Sequence, residues 1–242
     1  MKNKKYFIGI LVLVGVMILL SGCITVGGVR GTGSMASRDF EVEDFNAFDI
    51  GGGYQVTWRQ GDSVAVTVEM QENLFDYLRV SVRGDTLYID SSRSFNITSS
   101  SNRPRVYIYT PYLEMVSFSG AVSGSDWDTI YGESFSINAS GAANLDIELE
   151  VEELDIELSG AGDITLSGSA HIVDISASGA AEISAEDLET RETSISLSGA
   201  GSVDIAVSDH LSVDLSGAGR VRYIGNPTID QSISGAGRVE QR

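Results

Sequence analysis

Cations, thiols and imidazoles are all scarce in this chain. Its only lysines are Lys2, Lys4 and Lys5, its one cysteine is Cys23, and its two histidines are His171 and His210. A single cysteine excludes an intrachain disulfide. No Gly-x-Ser-x-Gly, no His-Glu-x-x-His and no phosphate-cradling glycine loop before a helix occurs, so the common sequence signatures of catalysis are missing. Helical periodicity is missing after residue 112, and aromatic residues run out after Phe135 except for Tyr223. Residues 112–219 carry 21 Asp and Glu against a single cation, Arg191. That field disfavours nucleic acid and anionic lipid headgroups as partners.

What is present is a repeat. Ser-Gly-Ala begins at Ser119, Ser140, Ser159, Ser178, Ser198, Ser216 and Ser234, in steps of 21, 19, 19, 20, 18 and 18 residues. Around it apolar residues alternate, as in Leu154, Ile156 and Leu158 or Val203 and Ile205, with Ser, Thr, Asp and Glu between them. Period two means strand with one buried face. Two or three short strands per step and no helix predict an all-β fold, a single-stranded parallel β-helix with coils of about 18–21 residues. Six steps at roughly 4.8 Å make a column about 29 Å long. The glycine supplies permissive backbone angles at a crowded corner, and the serine hydroxyls are expected to form a ladder.

Two repeat chemistries are excluded. Calcium-binding nonapeptide coils need a carboxylate in each turn, yet the residue after the motif and its trailing Gly or Ala is Arg220 in one step and Arg238 in another. Hexapeptide acyltransferase coils need an apolar residue every sixth position, which this chain does not have. Asp155 and Asp174 are the acids expected on adjacent coils, but the columns they belong to are diluted with serine, and no metal or other cofactor is expected. His171 and His210, 39 residues apart, fall two coils and roughly 10 Å apart, too far for one direct dyad. Each reads as a turn histidine beside a nearby acid, such as Asp209 for His210.

The N-terminus reads as an address. Lys2, Lys4 and Lys5 precede an apolar run over residues 7–20, too short to span a membrane comfortably. The run ends in Leu20-Ser21-Gly22-Cys23, which resembles a bacterial lipobox and implies cleavage before Cys23 and acylation of its thiol. Residues 1–22 are thus expected to be a lipoprotein signal peptide and residues 23–38 a Gly- and Ser-rich tether. The domain, residues 39–242, lies outside the cytoplasm and is held to a membrane through Cys23. In a cell with two membranes, Ile24 gives no inner-membrane retention signal, which favours the outer membrane. Without its signal the chain has 13 Arg against 34 acids, a net −21.

Residues 39–112 are β of another kind, forming wider first coils or a cap over the end of the β-helix, with residues 113–242 forming the repeat coils. Tyr54, Val56 and Trp58 alternate, Arg59-Gln60-Gly61-Asp62 turns into Val64, Val66 and Val68, and Gly84-Asp85 turns into Leu87 and Ile89. Residues 91–102 read as a mobile loop. Tyr107 and Tyr109 alternate with inward Val106 and Ile108, so both should face outward. They are the candidate surface for a glycan or protein ligand, since such sites use aromatic faces.

Phe48-Asp49-Ile50, Tyr54-Gln55-Val56, the Gln60-Gly61 turn, Asn73-Leu74, Gly84 with Leu87, and the Ser-Gly-Ala series together resemble the head GIN domain family over roughly residues 40–239. The resemblance implies a β-helical extracytoplasmic domain of the kind described as an auto-transporter adhesin head, and it implies no catalytic residues. A lipobox in place of an autotransporter barrel departs from that description. The sequence therefore favours a lipid-anchored binding, adhesion or spacer module of the cell envelope, without catalysis. The alternatives are a carbohydrate-active enzyme of the polysaccharide-lyase type and an accessory to an envelope-stress or signalling system.

Overall fold

Alternating apolar residues bury one face of a strand, and successive steps of this chain bury that face against each other. The computed structural model describes residues 28–97 and 99–242, which are almost entirely strand. The lipobox with Cys23, the signal peptide and the start of the tether lie outside the described residues.

Ten strands precede the long acidic repeat: β1 (Val29–Arg30), β2 (Met35–Phe40), β3 (Ala47–Gly52), β4 (Gln55–Gln60), β5 (Ala65–Gln71), β6 (Leu78–Arg83), β7 (Thr86–Ser91), β8 (Phe95–Asn96), β9 (Arg105–Thr110) and β10 (Met115–Gly124). A 3-10 helix, Glu72–Tyr77, follows β5. The repeat itself is β11 (Ile130–Gly199), β12 (Ser202–Gly217), β13 (Arg220–Ile224), β14 (Thr228–Gly235) and β15 (Arg238–Gln241).

Along the repeat the pairing is parallel and set by the tripeptide. Ser119 pairs with Ser140, Ser198 with Ser216 and Ser216 with Ser234. Each motif glycine has a φ between +117° and +134°, where only glycine is at ease. A Cβ on Gly160 would lie 2.3 Å from the Gly141 carbonyl oxygen, and Gly141, Gly179, Gly199, Gly217 and Gly235 meet the glycine one step back in the same way. The column begins earlier than the motif, because Gly120 stands on Gly52. The serine ladder does not form as expected. All seven serines are exposed, and the one hydrogen bond from their hydroxyls among the described residues is Ser140 Oγ to the Phe118 carbonyl at 3.5 Å. Water satisfies these hydroxyls more readily than a partner about 4.8 Å away.

The sheet is mixed rather than wholly parallel. β9 lies between β4 and β5, parallel to the first and antiparallel to the second, so the Gln60-Gly61 turn does not close a β4–β5 hairpin. β7 stacks on β3, and β3 stacks on β10. The chain segment holding β7 and β9 thus occupies the outermost parallel step, although it follows β3 and β4 in sequence. β2, β5 and β6 close this end antiparallel. The Gly84-Asp85 turn does form a hairpin, β6 to β7, with Gly84 at φ +58°.

Two expectations are corrected at this end. Residues 29–30 and 35–38, within the segment assigned to a tether (23–38), are strand, the latter forming the first part of β2. β2 pairs with β5 through Met35 to Phe40, and the Asn73 side chain accepts from Thr32 N at 2.8 Å and donates to the Arg30 carbonyl at 2.9 Å. The unpaired edge of β5 supplies the hydrogen bonds that outweigh the Gly and Ser content. The loop over residues 91–102 contains β8, which pairs with β1, and a short 3-10 turn, Ser100–Asn102.

Candidate functional site

The aromatic residues of the N-terminal half divide by strand parity. Tyr54, just before β4, and Val56 and Trp58 on it are all buried in the core. On β9, Val106 and Ile108 are buried, Tyr107 is half-buried and Tyr109 is 41% exposed. Tyr107 lies between Thr57 and Thr67, and Tyr109 between Arg59 and Ala65. The outward orientation expected of the pair is present, and Tyr109 is its accessible member.

Tyr109 has company that the sequence did not single out. Tyr112 is 56% exposed just past the end of β9, and Tyr131 is 54% exposed at the start of β11. Beside them a recess of about 720 Å³ is lined by Gln60, Gly61, Asp62, Pro111, Asp128 and Tyr131. Gly61 is the lining residue that adjoins Tyr109, since a Cβ there would stand at ordinary contact distance, 3.5 Å, from the Tyr109 Cβ. The alternation along β9 reveals Tyr109, but Tyr131 follows no regular strand pattern in the sequence.

The walls of the recess are tied together from beneath. The Gln60 amide donates to the Pro111 carbonyl at 2.8 Å, and Gln60 N donates to Asp128 Oδ2 at 2.9 Å. Arg59 donates to Asp128 Oδ1 at 3.2 Å and to Asp126 Oδ2 at 2.6 Å, and also to the Asp126 carbonyl. Asp126 holds the one positive φ of a non-glycine residue among the described residues, 60°. Underneath, the Trp58 indole donates to Thr110 Oγ1 at 3.0 Å, whose hydroxyl donates to the Tyr112 carbonyl at 2.7 Å. Trp127 donates to the Val56 carbonyl at 2.9 Å and meets Phe48 edge-on. Exposed rings therefore stand on a fixed floor, next to the Asp62 carboxylate and the Gln60 amide oxygen, while both Asp128 oxygens are already engaged by Arg59 and Gln60 N.

The acids and histidines elsewhere are arranged by stacking rather than by chain neighbourhood. His171 Nδ1 lies 2.6 Å from Glu152 Oε2, one step back. His210 faces Asp230 at 3.6 Å, one step on, rather than Asp209, because β12 and β14 pair His210 with Thr228 and Ser212 with Asp230. Burial and the neighbouring Asp155 push the Asp174 carboxyl above its ordinary 3.8. Burial and Asp90 do the same for Asp49. The hydrogen bonds of Asp204 hold the Arg222 guanidinium above its ordinary range, and Asp204 is buried beneath it. Among the described residues no group of three or more His, Cys, Asp or Glu side chains is placed to hold a metal ion.

A family profile described as "Putative auto-transporter adhesin, head GIN domain" matches residues 44–227. Among solved structures, one described as a "putative adhesin" from Bacteroides fragilis superposes with a TM-score of 0.83 at 24% identity, covering 89% of this chain and 100% of that one. A "putative adhesin" from Parabacteroides merdae gives 0.69 at 22% identity, covering 89% and 99%. A "putative lipid binding protein" from Parabacteroides distasonis gives 0.69 at 21% identity, covering 88% and 99%. At these identities the likeness is one of fold. No curated protein matches the sequence.

Proposed function

The chain belongs to the head GIN domain family of adhesin-like proteins, and from that premise we propose that it is a non-catalytic binding module of the cell envelope. Its parallel steps are the coils of a β-helix, and the tyrosine surface around Tyr109 is its contact face. Support for the coils comes from the constant offset of the paired serines and the unbroken glycine column. The single observation that carries the binding reading is the exposure of Tyr109, Tyr112 and Tyr131 at a recess that Tyr131 lines with Gln60, Gly61, Asp62, Pro111 and Asp128, Gly61 being the neighbour of Tyr109 and Pro111 that of Tyr112. Aromatic faces beside carboxylate and amide oxygens suit sugar rings, whose C–H faces stack on tyrosine and whose hydroxyls bond to the oxygens. Neighbours described as adhesins agree with this reading.

Attachment through an acylated Cys23 fits the lipobox and places the domain outside the cytoplasm, at the outer membrane where there are two. Only residues 24–27 then separate Cys23 from the described chain, so the fold starts within short reach of the membrane it is tied to. The lyase alternative receives little support from side chains. His171 and His210 are each engaged by a separate acid, and Arg191 is the single cation in the acidic coils.

A glycan-array and pull-down screen with the protein, with and without calcium, tests the proposal. A specific glycan bound by the parent and lost in the Tyr107→Ala plus Tyr109→Ala variant is the expected result. Shortening of a polysaccharide during incubation would overturn the non-catalytic reading in favour of the lyase.

A further inference from the structure

A second recess lies several steps along the stack, independent of the tyrosine surface. The step from Ser178 to Ser198 is 20 residues and the next is 18. The surplus is absorbed where the β11–β12 pairing slips, between Ala185 and Glu189 and again between Thr190 and Glu192. A slip of this kind re-aims the side chains around it. This one is pinned from inside. Thr190 Oγ1 donates to the Ala206 carbonyl at 2.7 Å and lies 2.9 Å from Thr193 Oγ1, and both threonines are buried.

Outside the slip a recess of about 370 Å³ is lined by His171, Glu189, Arg191, Ala206, Val207 and Ile224. That is near the small end of ligand cavities, which run from about 300 to 1,000 Å³. Three features set its chemistry. Arg191 is the only cation in residues 112–219, and its guanidinium has no ion pair or hydrogen bond among the described residues. Val207 and Ile224 give an apolar wall, with Ile224 39% exposed and so open to a ligand. Opposite charge and acceptor capacity come from Glu189 and His171. With Nδ1 engaged by Glu152, Nε2 is the ring nitrogen left for a ligand.

We propose that this recess binds a short zwitterionic peptide with apolar side chains. Its terminal carboxylate sits on Arg191, its side chain lies against Ile224 and Val207, and its ammonium or amide N–H groups meet Glu189 and His171. Guanidinium and carboxylate make charge-assisted, bidentate hydrogen bonds, which fixes the orientation. The acidic field of the repeat opposes a purely anionic ligand, whereas a zwitterion carries no net charge to repel.

Calorimetric titration of the full chain with the dipeptide Leu-Leu tests this. Saturable binding is expected, weakened at least tenfold when the peptide carboxylate is replaced by an amide, and at least tenfold in Arg191→Gln. Arg191 is exposed and makes no described contact, so this variant should melt like the parent. Should it fail to fold, Ile224→Asp serves instead, with the same loss expected. Tyr109→Ala should bind Leu-Leu normally, so failure of the tyrosine surface and failure of this site are separable. No heat of binding up to millimolar peptide, or full binding by Arg191→Gln, overturns the proposal.

Discussion

At the scale of single residues the Ser-Gly-Ala motif divides its labour unevenly. The glycine is fixed twice, by φ and by the carbonyl one step back, while the serine is exposed and barely engaged. Gly160→Ala is therefore expected to cost about 3 kcal/mol or more, since strain in a glycine-only region adds to a backbone clash. Ser159→Ala should stay within about 0.5 kcal/mol of the parent. Urea unfolding of the two variants checks the contrast. The role of the glycine was legible from the motif, but Gly52 was not, because Gly51 stands where the serine would be. The acid columns give a pH dependence. Asp174 binds its proton more tightly folded than unfolded, so its ionisation opposes folding as pH rises above its ordinary 3.8 through the raised folded value. This penalty is full at neutral pH and is relieved as the pH falls through the raised folded value toward 3.8. Asp174→Asn should melt higher than the parent at pH 7, by a margin that narrows on acidification.

Elements show where local pattern stops deciding. Alternation along β4, β5 and β9 assigns the buried faces, with Val56, Val66 and Val106 all inside. It does not assign neighbours. β9 enters between β4 and β5 after an excursion of more than 30 residues, and nothing in the Gln60-Gly61 turn reports that choice. The end strands follow the same lesson. β2 was hidden in a Gly- and Ser-rich segment because its pairing depends on the free edge of β5, a partner some 30 residues away. Deleting residues 28–40 uncovers that edge, along with Phe75, over which Arg38 stands at 4.1 Å. Exposed edges recruit other strands. The truncated protein is expected to sediment as larger species than the parent, and analytical ultracentrifugation reads the difference directly.

For the whole molecule, the two proposed sites fall at the N-terminal end and at a slip in the strand pairing, with regular steps between them. The serine face of the repeat holds a recess of its own, about 460 Å³, but its lining of Ser117, Asn138, Ser140, Ser159, Ser176 and Ser196 repeats from step to step. Distinctive side chains collect where the stacking departs from regularity: the tyrosines at the β4–β9–β11 junction, and Arg191 at the slip in β11. The candidate tyrosines on β9 were legible because strand parity points them outward. Tyr131 and the recess beside it were not, since they arise from the crossing of segments 70 residues apart in sequence. The decisive measurement is hydrogen-exchange mass spectrometry of the protein with and without the best-binding glycan from the array. Slowed exchange confined to residues 57–62, 105–112 and 128–131 is the expected footprint. Protection running instead along the serine column, residues 138–198, with the tyrosine segments unchanged, would contradict the central claim that the N-terminal end is the contact face.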